Sequence, residues 1–493
     1  MNNLGTSNLK SKTIRGVEWS FADNIINQGI TFLVGLVLAR LLSPDEYGLI
    51  GIITIFIAIS NSIVDSGFSS ALIRKNDADD KDYNTVFIVN LIASIVLAAV
   101  LFVSAPFIAR FFERAELTAI TRVMSSVLII NALSIVQSAQ LTKRIDFKTQ
   151  TKISIISSII SGIIGISLAF MGCGVWSLVF QQLSRQFVNT ILFWYYNRWI
   201  PNFSFCLSSF KELFTFGWKL LVSGLIDSTW NQLYQVVIGK CYSPATLGQY
   251  SRAQQFSNLF STNLTHIVQR VSYPSLSSIQ EERERLKNAY RTIITVTMLV
   301  SFCCMFGLAA VAKPMIRVLI GSKWYPAVPF LQILCLQMVL YPLHAINLNM
   351  LQVQGRSDLF LKLEIIKKII GTVPLLLGIF INIYWMLWAS VITGIIAFFL
   401  NSYYSGKMIG YSSFEQLKDI APSFFIATFM AAIVFAMSYI NISAFILLPI
   451  LIITGILIVF ILCELFKRKE YLEIKNILFL TLGKSKEWIK NKI

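Results

Sequence analysis

Charge is what this sequence has least of. Only 14% of its 493 residues are Asp, Glu, Lys or Arg, against about 25% in an average soluble domain. Too few charges remain to coat a water-facing surface, and the composition excludes intrinsic disorder as well. Histidine is scarcer still: His266 and His344 lie far apart in sequence, so they make no metal cluster by themselves. The seven cysteines are odd in number and scattered through apolar runs, which excludes a secreted disulfide scaffold and leaves them as small core hydrophobes. No P-loop of the GxxxxGKS or GxxxxGKT type occurs, so the chain carries no nucleotide-burning module of that kind.

What fills the chain instead is hydrocarbon. Apolar residues make up 55% and aromatics 13%, with a mean hydropathy of +0.67. Single soluble cores stop growing near about 250–300 residues, so the solvent for most of this chain is lipid. A helix needs about 20 mostly apolar residues to cross a bilayer. Fourteen runs meet that length, near 16–40, 47–71, 85–109, 118–138, 152–171, 175–196, 217–239, 246–271, 290–312, 327–352, 362–381, 384–405, 420–440 and 444–465. The polar start, Met1 to Lys12, is expected to remain in the cytoplasm rather than act as a cleaved leader.

Basic residues orient these runs, because cytoplasmic loops accumulate Lys and Arg. With the N-terminus inside, the outer segments hold only Arg40, Arg110, Arg114, Arg122, Lys240, Lys313, Arg317 and Lys323. Both termini are therefore expected in the cytoplasm. Most tryptophans fall near run ends at headgroup level, Trp324 among them, and only Trp230 lands mid-span. The net charge of +17 thus reads as a property of the cytoplasmic face rather than a nucleic-acid footprint. The tail from Lys467 onward, with Leu472, Ile477, Leu480, Trp488 and Ile489 among basic residues, suits an interfacial helix on an anionic leaflet.

Two local patterns recur. Ser43-Pro44-Asp45-Glu46-Tyr47-Gly48 returns as Ser243-Pro244-Ala245-Thr246-Leu247-Gly248, and Arg144-Ile145-Asp146 returns as Arg356-Ser357-Asp358. Ser caps a helix and Pro fits its first turn, so both Ser-Pro copies open a helix. An even number of runs separates the copies, which predicts a parallel repeat about an axis along the membrane normal. The expected architecture is an all-α polytopic membrane protein with 14 transmembrane helices. It divides into an N-lobe of six helices over 1–196, an interfacial linker over 197–216, a C-lobe of six over 217–405, an appended helix pair over 406–466, and a basic amphipathic tail over 467–493.

Thr13-Ile14-Arg15-Gly16, Leu38-Ala39-Arg40-Leu41-Leu42 running into the first Ser-Pro motif, Ser66-Gly67-Phe68, Phe210 through Gly217, and Gly321-Ser322-Lys323-Trp324-Tyr325-Pro326-Ala327 together resemble the polysaccharide-export (O-antigen-type) flippases. These belong to the multidrug/oligosaccharidyl-lipid/polysaccharide (MOP) superfamily. The resemblance covers nearly the whole chain except its tail. It implies two six-helix lobes in a V around a central cavity, located in the bacterial cytoplasmic (inner) membrane. It also implies alternating access that carries an undecaprenyl-diphosphate-linked oligosaccharide from the inner to the outer leaflet, for lipopolysaccharide, capsule or exopolysaccharide, with polysaccharide polymerase machinery as a candidate partner. No cofactor is implied beyond an H+ or Na+ gradient. The competing readings are a lipid II flippase, a drug or cation antiporter of the same superfamily, and an O-antigen polymerase or ligase. The first is separated mainly by the family signatures, the second by the extra helix pair, and the third by the shortness of the outer loops.

Ionisable groups at membrane depth cost at least about 2.5–3.5 kcal/mol on insertion scales and tend to face protein or water. The first run carries Asp23, Asn24, Asn27 and Gln28; the seventh carries Asp227, Trp230, Asn231 and Gln232. Arg185 sits mid-way along the sixth run and Arg252 early in the eighth. Guanidinium binds phosphate through paired hydrogen bonds, so Arg185 and Arg252 are the candidates for a headgroup cradle. The amides suit sugar hydroxyls and Trp230 a sugar face. Asp23, Asp227 and Asp65 are the candidates for ion coupling, with a structural Arg185–Asp65 pair as the rival account.

Overall fold

A computed structural model of the chain describes residues 19, 23, 25–65, 67–202 and 204–475. Asn24 and the tail residues Ile477, Leu480, Trp488 and Ile489 lie outside that set. The described residues form helices and no strand. In order these are α1 (Ile25–Leu41), α2 (Pro44–Asp65), α3 (Phe68–Arg74), α4 (Asp80–Phe111), α5 (Glu116–Lys143), α6 (Phe147–Phe170), α7 (Val175–Asn197), α8 (Leu207–Cys241), α9 (Pro244–Ser277), α10 (Arg283–Ala310), α11 (Ala312–Leu319), α12 (Ala327–Met338), α13 (Tyr341–Val353), α14 (Ser357–Ile370), α15 (Thr372–Phe380), α16 (Ile383–Ile409), α17 (Ser413–Met437) and α18 (Ala444–Leu465). Among the described residues nine helical stretches are long and apolar enough to cross a membrane, taking α2–α3 and α12–α13 each as one. Helix also covers the other expected runs, the first from Ile25 onward. The chain is a multi-pass helical membrane protein.

Helix starts follow the capping chemistry written in the sequence. Ser43 Oγ accepts from the Glu46 amide at 3.4 Å while Glu46 Oε2 accepts from the Ser43 amide at 2.6 Å. Ser243 Oγ accepts from the Thr246 amide at 3.1 Å. Asp79 and Ser412 make reciprocal boxes with Asp82 and Glu415, and Asp146 and Asn382 cap α6 and α16. Each cap satisfies amides that the first helical turn leaves without partners, worth about 1 kcal/mol.

The chain divides into two compact units, Met1–Gly248 and Gln249–Ile493. In the first, α8 runs unbroken from Leu207 through Gly217 to Cys241, so Phe210, Phe214 and Phe216 of the expected linker are helical. Phe210 and Phe216 pack with Phe68, Leu72, Phe87, Trp194 and Trp199 in one apolar cluster, and the Phe214 ring lies 6.2 Å from that of Phe68. The Ser-Pro motifs meet here. A Cβ on Gly48 would overlap the Pro244 carbonyl, and one on Gly248 would overlap the Pro44 carbonyl. The recurring glycine is thus a reciprocal backbone crossing of two helix starts.

In the second unit, fully buried Asn347 accepts from Tyr290 Oη at 2.9 Å and from the Ser405 hydroxyl, and its amide donates to Gln416 Oε1 at 3.2 Å. This binds α10, α13 and α16 to α17. Trp324, at the end of its run, is fully buried in the protein, within the turn that follows Gly321. The start of the tail does not lie free either: Tyr471 and Ile474 pack against the cluster of Leu299, Ile426 and Cys463, and Lys475 pairs with Glu464 at 2.6 Å. α18 shows Phe445, Ile453 and Ile456 more than half exposed, as a lipid-facing helix does.

The second recurring pattern is real but shifted. Arg144, Ile145 and Asp146 donate backbone bonds to Gln140, Thr142 and Leu141; Gln354, Gly355 and Arg356 donate to Met350, Gln352 and Leu351. Ile145 (φ 59°) and Gly355 (φ 68°) take the left-handed position, as in a Schellman helix end. The structural equivalent of Asp146 is therefore Arg356, not Asp358. Arg356 chelates Asp358 at 2.7 and 2.8 Å, whereas Arg144 bonds Asn197.

Candidate functional site

Glycines on α6 set the geometry of the first unit's polar cluster. A Cβ on Gly162 would press into Val34 of α1, and one on Gly165 into Gln181 of α7. Small residues let membrane helices approach closely, and that approach brings α7 within reach of α1. Arg185 Nη2 donates to Asn27 Oδ1 at 3.3 Å, and the Ser158 hydroxyl of α6 donates to the same oxygen. Asp23 is half-buried just ahead of α1, bonded to Ser154 and attracted electrostatically to Arg185. Its Oδ1 is buried without a hydrogen-bond partner among the described residues. Arg185 carries five N–H donors, so one bond to an amide leaves capacity for an anion.

Asp65 accepts from Ser69 Oγ; the carboxylate beside Arg185 is Asp23. Gln28 is exposed on α1. On α8, Asp227 and Asn231 are exposed one turn apart, and Trp230 and Gln232 are half-buried. Gln232 Oε1 is buried with no partner among the described residues. Arg252 belongs to the second unit, where Nη1 bonds Gln255 Oε1. The structure thus brings Asp23, Asn27 and Arg185 together, sets the α8 group in the same unit, and assigns Arg252 to the other.

Sequence reasoning missed an amide relay beside this cluster. Gln186 Nε2 donates to Asn131 Oδ1 at 2.9 Å, and Asn131 Nδ2 donates to Asn61 Oδ1 at 2.9 Å. It joins α7, α5 and α2. Asn61 and Asn131, each the one Asn of its apolar helix, were the available signal, together with Gln186 one position from Arg185.

At the end of the unit where α3 meets α8, Arg74, Lys75, Glu212 and Lys219 line a cavity of about 550 Å3. Lys75 reaches Glu212 at 2.9 Å and Asp82 at 3.0 Å. Burial alone lowers its pKa, but these two carboxylates overcome that and raise it, so it stays charged and fastens the start of α8.

The family described as "Polysaccharide biosynthesis protein" matches residues 37–329. The chain is 26% identical to the teichuronic acid biosynthesis protein TuaB of Bacillus subtilis (strain 168), over 87% of this chain and 90% of that protein. It is 29% identical to the succinoglycan biosynthesis transport protein ExoT of Rhizobium meliloti (strain 1021), over 67% of each. It is 23% identical to the lipopolysaccharide biosynthesis protein WzxC of Escherichia coli (strain K12), over 75% and 76%. In fold it resembles the lipid II flippase MurJ in an inward closed conformation, with a TM-score of 0.71 at 16% identity over 92% of this chain and 98% of that one. A multidrug-resistance MATE transporter of the MOP superfamily, inward-facing, follows at 0.58 and 16%, over 78% and 98%.

Proposed function

Given that this chain belongs to the polysaccharide biosynthesis protein family, we propose that it is a flippase moving undecaprenyl-diphosphate-linked oligosaccharide units from the inner to the outer leaflet of the cytoplasmic membrane. The proposal includes fourteen spans, two six-helix lobes in a parallel repeat plus a C-terminal pair, and both termini in the cytoplasm. The relatives named above belong to teichuronic acid, succinoglycan and lipopolysaccharide synthesis. Such different polymers favour a shared lipid anchor over any one sugar as the common cargo.

The observation that carries the reading is Arg185, a guanidinium among apolar helices, held by Asn27 with its other donors left for a ligand. A polar saccharide cannot cross hydrocarbon, whereas a polyprenyl tail can stay there. The protein's task is to shelter the sugar-diphosphate while access alternates between sides. Arg185 and Arg252 bind the diphosphate, the amides and Trp230 hold sugar, and Asp23, Asp227 or Asp65 couples the cycle to H+ or Na+. Moving one charge through 100 mV supplies about 2.3 kcal/mol, enough to bias such a cycle.

Deleting the protein and analysing the lipids tests this reading. Undecaprenyl-diphosphate repeat units accumulating toward the cytosol support it. Unpolymerised units accumulating on the outer face indicate a polymerase, accumulating lipid II indicates a lipid II flippase, and unchanged lipids overturn it.

A further inference from the structure

A second cationic cavity lies wholly within the second unit. Helices α9, α13, α14 and α16 enclose about 710 Å3, within the range of small-ligand sites, about 300–1,000 Å3. Its wall includes Arg270, Tyr273, His344, Asn349, Glu364 and Lys367. Lys367 is tied to Glu364 at 2.5 Å. Arg270 is exposed and makes no ion pair with the described residues. Two cations and one carboxylate therefore share the cavity wall, and a free cation is disfavoured as its occupant.

Asn349 adds a more specific demand. It is only 6% exposed, yet its amide Nδ2 is buried with no partner among the described residues. Buried donors of this kind are nearly always satisfied in the working state of a protein. Nδ2 donates only, so what completes it is an acceptor. A guanidinium, an ammonium and an amide short of an acceptor in the wall of one cavity suit a phosphate-type acceptor with several oxygens and negative charge.

We propose that this cavity binds a phosphate or diphosphate group, with Arg270 and Lys367 as its charge partners and Asn349 as its buried donor. Under the flippase reading, on which this rests, the group is the diphosphate of the lipid carrier, held here in a step distinct from its contact with Arg185 and Arg252; a soluble phosphate is the other source. About 710 Å3 leaves room for a sugar residue beside the diphosphate, and the Tyr273 ring offers it a flat face.

The test is binding to the purified full-length protein in nanodiscs, with undecaprenyl diphosphate and inorganic diphosphate as separate probes. Loss of one charge-assisted bond predicts that Arg270→Gln and Asn349→Asp each weaken binding about tenfold, with Arg270→Lys retaining most of it. Thermal melting of each variant separates a lost site from a lost fold. A lipid probe that binds about tenfold tighter than inorganic diphosphate assigns the carrier headgroup; equal binding with mutual competition assigns a soluble phosphate. Either result supports the site. Absence of binding of both probes, or well-folded variants that bind as tightly as the unaltered protein, overturns it. The flippase reading fails separately, through unchanged lipids in the deletion strain, and leaves this binding result standing.

Discussion

At the scale of single residues, Arg185 matters for what its neighbours leave unspent. Asn27 takes one donor and Asp23 supplies nearby negative charge, so the guanidinium is held in place without being used up. Arg185→Gln is expected to cut surface polysaccharide about tenfold or more, as loss of a charge-assisted bond does, with the protein still present in the membrane by immunoblot. Normal export from both this variant and Arg252→Gln dismisses the cradle assignment. Cys206 gives a second residue-level expectation. It opens α8, where the Ser208 hydroxyl and the backbone amides of the helix start draw its thiol pKa down to about 7. The thiolate is the reactive form, so alkylation should accelerate as pH rises through about 7. Exposed Cys241 and half-buried Cys173 lie at the opposite run ends, so both are first changed to Ser; if the termini are cytoplasmic, a membrane-impermeant maleimide should then label Cys206 only after the cell is opened, and labelling of Cys206 in intact cells contradicts that orientation.

At the scale of elements, the helix starts at Pro44 and Pro244 cross where glycine is required. A Cβ at either Gly48 or Gly248 would meet a carbonyl with no flexible side chain to give way. Overpacking of this sort costs about 1–3 kcal/mol or more. Gly48→Val should therefore lower the melting temperature by several degrees in detergent, and an unchanged melt speaks against the crossing. The Ser-Pro-x-x-x-Gly signature was legible because side chain, cap and crossing all demand particular residue types. The Arg-x-Asp signature misled by two positions because the repeated object there is a backbone turn. The turn needs only a left-handed residue, and Ile145 serves in one copy where Gly355 serves in the other.

At the scale of the molecule, the final helices are built into the second unit. Gln416 completes the Asn347 network, Asp419 takes both Arg291 and the Tyr411 hydroxyl, and Ile426 closes the cluster with Leu299. A chain ended at Ile409 leaves fully buried Asn347 with an unmet donor, at about 1–3 kcal/mol, and strips apolar surface from α10. Such a truncation should fail to accumulate in membranes, whereas Phe429→Ala, which alters a side chain more than half exposed on α17, should accumulate normally. A stable, active truncation undoes the view that these helices are integral.

Membrane residence, all-helical character, the helix starts and the family were legible in the residues themselves. Run length, composition and caps are local properties, and a twenty-residue apolar stretch has few structural options in lipid. The polar residues at depth were legible as a set, but their partners were not. Tertiary packing gave Arg185 to Asp23 and Asn27 instead of Asp65, joined Asn61, Asn131 and Gln186, buried Trp324, and gathered Arg270, Asn349 and Lys367 around one cavity. Hydrogen bonds act over about 3 Å and along defined directions. Which groups meet therefore depends on helix rotation and approach, set by contacts between residues far apart in the chain.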